Sequence, residues 1–141
     1  MILAINNKKV INYKIVERGV TGNIFLNFIK EIKQKFIKNN DNKFIFMDNA
    51  AIHKTKNINE YIKQKKIDVV YNIPYFSKYN PIENVNSMIR NLLQRNENSN
   101  IENIRNIVEN FKQSDNVQKF KNIFNHVLKE LKNVIKSTQI A

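Results

Sequence analysis

Apolar residues at steps of three and four mark much of the chain as helical. Ile24, Phe25, Phe28, Ile29, Ile32 and Phe36 fall on one face of a first helix. Gly19 and Gly22, the only glycines, bracket the loop before it, and Thr21 or Asn23 is its expected cap. Ile58, Tyr61 and Ile62 mark a second helix within residues 55–66. Pro81 opens a third, where its missing N–H costs nothing, and Ile82, Val85, Ile89, Leu92 and Leu93 form its stripe. Two more follow, one carrying Ile101, Ile104, Ile107, Val108 and Phe111. The other carries Val117, Phe120, Ile123, Phe124, Val127, Leu128, Leu131 and Val134. Between these lie short runs of strand character. Residues 2–6 (ILAIN) and 10–16 (VINYKIV), joined by Asn6-Asn7-Lys8-Lys9, predict a hairpin. Phe44 to Met47 follows a polar break at Asn39 to Lys43 and has the look of a strand buried on both faces. Ile67 to Tyr71 is the next strand, and the loop Asn72 to Pro81 holds both prolines.

The order is hairpin, helix, strand, helix, strand, then helices to the end. A strand–helix–strand unit over residues 44–71 implies two parallel strands joined by a right-handed crossover. The class is therefore α/β. Ligands of open α/β sheets sit beyond the C-terminal ends of the strands, and Asp48 stands at such an end. There is no internal repeat and no domain linker. Asn96 to Asn100 is the best candidate for a helix–helix joint, so residues 1–95 are expected as a core and 96–141 as a helical C-terminal extension of the same domain.

Composition narrows the class of protein. The chain has 141 residues and 42% hydrophobic residues, enough for one folded core, and its mean hydropathy is -0.50. No apolar run approaches the roughly 18 residues of a membrane span, and the N-terminus lacks the pattern of a signal peptide. No membrane partner is expected. Cysteine is absent, which excludes disulfides and thiolate metal sites and favours an intracellular location. The net charge of +12 favours a polyanionic partner, most simply nucleic acid. Drift toward Asn, Lys and Ile codons would raise the charge as well, since only Arg18, Arg90, Arg95 and Arg105 are Arg.

Two carboxylates then stand out. Asp48 follows an apolar strand, which would hold it rigidly as a metal ligand; alternatively Asp48 or Asn49 caps the next helix. Glu83 lies in the first turn of the helix after Pro81, where the helix dipole favours an acid in any case. Thirty-four residues separate them, one helix, one strand and a proline loop. That path can return the chain to the same side of a sheet, and convergent carboxylates suit the oxygen-only coordination of magnesium.

The segments MDNAAIH and NIPYFSKYNPIENV resemble the catalytic core of Tc/mariner superfamily transposases and their bacterial insertion-sequence relatives, which are DDE superfamily endonucleases. Asp48, Asn49, Ala50 and His53 fill a D-N-A-x-x-H motif. Pro74, Tyr75, Asn80, Pro81, Ile82 and Glu83 fill a P-Y-S-P-x-x-N-P-I-E motif, and the interval is typical of the group. By eye the resemblance covers about residues 1–95. It implies a ribonuclease-H-like fold, a mixed β-sheet flanked by helices. It also implies DNA strand cleavage and strand transfer at transposon ends, with Mg2+ or Mn2+ as the metal. The family's acid triad would use two ions, one activating water or a 3′-hydroxyl and one stabilising the leaving oxygen. Asp48 and Glu83 would each hold one, with Asn49, His53 and Asn80 in support.

Departures from the pattern shape the expectation. The family's first Asp lies on a strand before this hairpin, and no acid here precedes Glu17, which follows the second strand. Phe76, Ser77 and Lys78 replace the usual Ser, Pro and variable residue, and Asn86 stands where Trp is common. The resemblance thus implies an N-terminally truncated catalytic domain, weakly active or inactive alone, which a separate upstream transposase segment would complete. A non-catalytic DNA-binding or dimerising remnant is the alternative. A homodimer is compatible with either. The location would be nuclear in a eukaryote and cytoplasmic in a prokaryote.

The remaining candidates carry two readings each. His53 orients a carboxylate or contacts phosphate, or else packs on the turn after the strand. Lys54, Lys56, Lys78 and Arg90 are candidate DNA contacts. Lys54, Lys56, Lys63, Lys65 and Lys66 form either a phosphate-binding face or a solvated helix face. Tyr71, Tyr75, Phe76 and Tyr79 can stack bases, although Tyr71 also suits the core. His126 has no ligand-forming neighbours on its helix.

Overall fold

A computed structural model of the chain describes residues 1–38, 42–74, 76–96 and 100–139, with residues 137–139 described by backbone alone. Tyr75, residues 39–41 of the polar break and residues 97–99 of the expected joint lie outside the described residues. The elements are β1 (Ile2–Ile5), β2 (Val10–Lys14), α1 (Gly22–Phe36), β3 (Phe44–Met47), α2 (Lys56–Gln64), β4 (Asp68–Tyr71), α3 (Pro81–Gln94), α4 (Ile101–Gln113) and α5 (Val117–Gln139). Short 3-10 turns at Ala51–Lys54 and Ser77–Tyr79 interrupt the two motif loops. The chain forms two compact units, Met1–Ile2 with Val16–Ser77 and Leu3–Ile15 with Lys78–Ala141.

The first unit is built on α1 and a parallel strand pair. Thr21 caps α1, its hydroxyl accepting from the Ile24 N–H at 3.3 Å. The helix buries Phe25, Phe28, Ile29 and Ile32, as its spacing predicts. Gly22 lets α1 start against α2's cap residue, for a Cβ there would meet the Thr55 methyl at 3.1 Å. β3 and β4 run parallel, with Phe44 beside Asp68 and Met47 beside Tyr71. The Asn72 N–H extends this ladder by donating to the Met47 carbonyl at 2.8 Å.

The expectation that β3 is buried on both faces does not hold. Met47 is buried, but Phe44 is 61% and Phe46 37% exposed, and neighbouring Val70 is 46% exposed. Side chains alternate across a strand, so positions 44 and 46 share one face and that face is open. A four-residue apolar run cannot distinguish one-sided from two-sided burial.

Helix α2 ends in a way its sequence does not advertise. Lys66 adopts φ 49°, the left-handed conformation normally filled by glycine. The Ile67 N–H donates to the Ile62 carbonyl at 3.0 Å and the Lys66 N–H to the Lys63 carbonyl at 3.2 Å. This is a Schellman ending, sealed by burial of Ile67. Lys66→Gly is expected to stabilise the chain by up to about 1 kcal/mol, because it removes the Cβ clash. A urea midpoint that stays level or falls would show that the turn is unstrained.

The second unit packs the β1–β2 hairpin with three helices. Asn6 sets the turn, its side-chain oxygen accepting from the Lys8 and Lys9 N–H groups at 2.9 Å each. Leu3 and Val10 join Val85, Ile89, Val108, Phe111 and Phe120 in one buried cluster. The rings of Phe111 and Phe120 lie 6.1 Å apart and tilted by 55°. Asn100 caps α4 by accepting from the Asn103 N–H at 2.7 Å. Buried Asn116 closes its far end by donating to the Phe111 carbonyl at 3.2 Å.

The α/β class is as the sequence implies. The described strands pair two by two, β1 with β2 and β3 with β4. No described helix is long and apolar enough to cross a membrane.

Candidate active site

Asp48 directly follows β3, where the strand's last residue, Met47, is buried and Asp48 itself emerges to 52% side-chain exposure. Its Oδ1 lies 2.8 Å from His53 Nδ1 and accepts from the Ala50 N–H at 3.0 Å. Among the described residues, both bonds of this carboxylate thus fall on one oxygen. The histidine is held in turn. Its ring stacks on Phe25 with centroids 4.1 Å apart, and the 3-10 turn Ala51–Lys54 carries it back toward the strand end. Asp48 does not cap α2, whose N-cap is Thr55. The hydrogen bond to Ala50 is a local turn contact, and His53 is the more specific partner.

Asn49 ties the two parallel strand ends together. Its Nδ2 donates to the Asn72 carbonyl at 2.7 Å, and its Oδ1 accepts from the Lys54 ammonium. That ammonium also sits 4.7 Å from the Tyr71 ring centroid. Lys54 therefore has an internal structural job beside any DNA contact. The Tyr71 hydroxyl donates to the His53 carbonyl at 3.4 Å, and burial pushes its pKa above the ordinary tyrosine value.

Asn72 is a site residue that the motifs do not single out. It is buried, donates from Nδ2 to the Phe76 carbonyl at 2.8 Å and accepts the Ile73 N–H at 2.9 Å. It fixes the start of the proline loop just past β4. An Asn between a strand and Ile-Pro was the available signal, since a buried amide at a strand end has to find partners.

The second motif builds the start of α3. Asn80 is buried at 6% exposure, and its side-chain oxygen accepts from the Ile82 N–H at 3.3 Å. Pro81 takes the first helical position, and the Glu83 N–H donates to the Asn80 carbonyl at 3.0 Å. Glu83 therefore projects from a capped first turn, exposed, where the helix dipole favours a negative charge. Each acid is placed within its own unit, Asp48 in the first and Glu83 in the second.

The other candidates scatter. Lys56 is 87% exposed, with Glu60 4.0 Å away, and Lys63, Lys65 and Lys66 are exposed. Lys78 is exposed over the Tyr79 ring at 4.9 Å, and Arg90 is exposed on α3. Tyr79 is 5% exposed, so it serves the core and not a base-stacking platform, whereas Phe76 is open. His126 is exposed on α5. Among the described residues no three His, Cys, Asp or Glu side chains gather as a metal-binding group. The donor chemistry of the two acids still suits a hard cation. Both supply oxygen and both are open to solvent.

A solved structure supplies a likeness in fold. The chain is similar to the catalytic domain of Mos1 transposase, determined with raltegravir and Mn, with a TM-score of 0.72 at 12% identity. The alignment covers 91% of this chain and 72% of that one. At this identity the likeness concerns the fold, and it identifies the architecture as ribonuclease-H-like. No curated protein sequence matches the chain. The family model for DDE superfamily endonucleases matches residues 1–108, a stretch that includes both motifs. The chain belongs to the DDE superfamily endonucleases.

Proposed function

We propose that the chain serves transposase-type DNA cleavage and strand transfer, with transposon-end DNA as substrate and Mg2+, or Mn2+ in its place, as cofactor. The observation that carries this reading is the Asp48–His53 pair at the end of a parallel strand, 2.8 Å apart and within the D-N-A-x-x-H sequence. The Mn in the Mos1 structure supports the choice of metal.

Asp48 and Glu83 would hold the metal. The bound ions would supply Lewis-acid stabilisation of the phosphodiester oxygens. The chain's own contribution is orientation. His53 Nδ1–H donates to Asp48 Oδ1 and fixes the rotation of the carboxylate, as partners behind a metal ligand commonly do. Asn80 and Pro81 fix the first turn of α3 and with it the position from which Glu83 projects.

A second reading is a DNA-binding or dimerising protein without catalysis. It rests on the net charge of +12, which attracts a polyanion whether or not the acids take part in chemistry. Nicking of supercoiled plasmid separates the two. The catalytic reading expects slow nicking in Mn2+ that EDTA stops and that Asp48→Asn or Glu83→Gln removes. Nicking that survives both substitutions would overturn the acid assignment. A folded chain that binds DNA and never nicks it would favour the second reading.

A further inference from the structure

The second unit contains an open groove far in sequence from either motif. It has a volume of about 400 Å³ and runs between residues 12–15 of the hairpin and Arg105, Glu109 and Lys112 of α4. Those three helical positions follow steps of four and three, so they share one face, while Val108 and Phe111 turn to the core. The groove holds three cations, Lys14, Arg105 and Lys112, against one carboxylate, Glu109.

That carboxylate is already engaged. The Tyr13 hydroxyl donates to Glu109 Oε1 at 2.7 Å, and Lys112 Nζ lies 3.9 Å from the same oxygen. The Lys112 ammonium also sits 5.7 Å from the Tyr13 ring centroid. Burial, together with the bond to Glu109 and its charge, pushes the Tyr13 pKa up to about 12, against a smaller opposing pull from Arg105. The phenol therefore stays neutral at any working pH and adds no negative charge to the groove. Tyr13 packs on the hydrophobic cluster, so the floor is anchored.

We propose that this groove is a contact for the sugar-phosphate backbone of duplex DNA, with Lys14, Arg105 and Lys112 as its phosphate-binding residues. Its openness and its surplus of cations suit a continuous polyanion better than a small ligand, which needs an enclosed apolar pocket. Arg105 and Lys112 are two helical turns apart, roughly 10 Å, or about three base-pair steps along one strand. The proposal rests on the DNA-processing reading above and extends it to a surface that neither motif names.

The test is a duplex titration at several salt concentrations, with the wild-type chain and Arg105→Gln/Lys112→Gln. Each lost phosphate contact lowers the slope of log K against log salt by about 0.9. The double variant is therefore expected to lose about 1.8 in slope and roughly tenfold in affinity per cation near 0.1 M salt. A double variant that is unchanged in slope and affinity overturns the groove and leaves the catalytic reading standing. A wild-type chain without DNA affinity overturns both. Circular dichroism checks the fold, and if the double variant unfolds, the exposed single change Arg105→Gln is expected to cost about 0.9 in slope, with no change overturning the proposal.

Discussion

Asp48→Asn is expected to lower Mn2+-supported plasmid nicking by at least about 100-fold while leaving the melting temperature nearly unchanged. The substitution is nearly isosteric. The Asn oxygen can still accept from the Ala50 N–H and from His53, so the turn after β3 keeps its geometry. What is lost is the charge and, on the proposed reading, one ligating oxygen. Removing a partner that merely orients a metal ligand typically costs about 10–100-fold, so removal of a ligand itself should cost more. A 100-fold loss corresponds to about 2.7 kcal/mol of transition-state stabilisation. Stability should hardly respond, because Asp48 is half exposed and a polar contact at such a site, here with His53, contributes about 1 kcal/mol or less. Rates measured beside thermal melts distinguish this from a structural role. A variant that melts early and nicks normally would mean that Asp48 is only a turn residue.

Phe120→Ala is expected to destabilise the unit of hairpin and C-terminal helices by about 3–5 kcal/mol. Phe120 is 1% exposed, packs against Phe111 and belongs to a cluster fed by β1, β2, α3, α4 and α5. Truncation removes a ring from the place where sequence-distant elements meet, and the surroundings cannot collapse without moving the hairpin. Against a typical total of about 5–15 kcal/mol, such a loss leaves the unit marginal. Leu128→Ala on the same helix is the control. Leu128 is 52% exposed, and its loss should stay within about 0.5 kcal/mol. Urea denaturation followed by circular dichroism measures both. Similar midpoints for the two variants would contradict the assigned core.

Much of this organisation is legible in the sequence because helical periodicity and capping are local. Thr21 and Pro81 each announce a helix start, and each does open one, Thr21 as the cap of α1 and Pro81 as the first residue of α3. Asp48 and Glu83 are legible from their motifs. What escaped depends on contacts across long sequence distances or on conformation. The hairpin shares a core with α3, α4 and α5, and the Tyr13–Glu109 bond spans 96 positions. No local pattern encodes that. The open face of Phe44 and Phe46 depends on what covers the strand, which a four-residue apolar run does not state. Lys66 occupies a left-handed position that composition would assign to glycine. The inward fold of Lys54 onto Asn49 and Tyr71 is a rotamer choice that a basic stretch cannot reveal.

The central proposal is that Asp48 and Glu83 each hold a metal ion. Paramagnetic broadening of amide NMR signals during a Mn2+ titration tests it without relying on activity. The account predicts that signals around Asp48–Ala50 and around Ile82–Glu83 both broaden as Mn2+ is added. It also predicts that Asp48→Asn weakens the broadening around Asp48–Ala50 and that Glu83→Gln weakens it around Ile82–Glu83. Broadening confined to one acid, or broadening around Asp48–Ala50 that is unaffected when Asp48 is replaced, would contradict it.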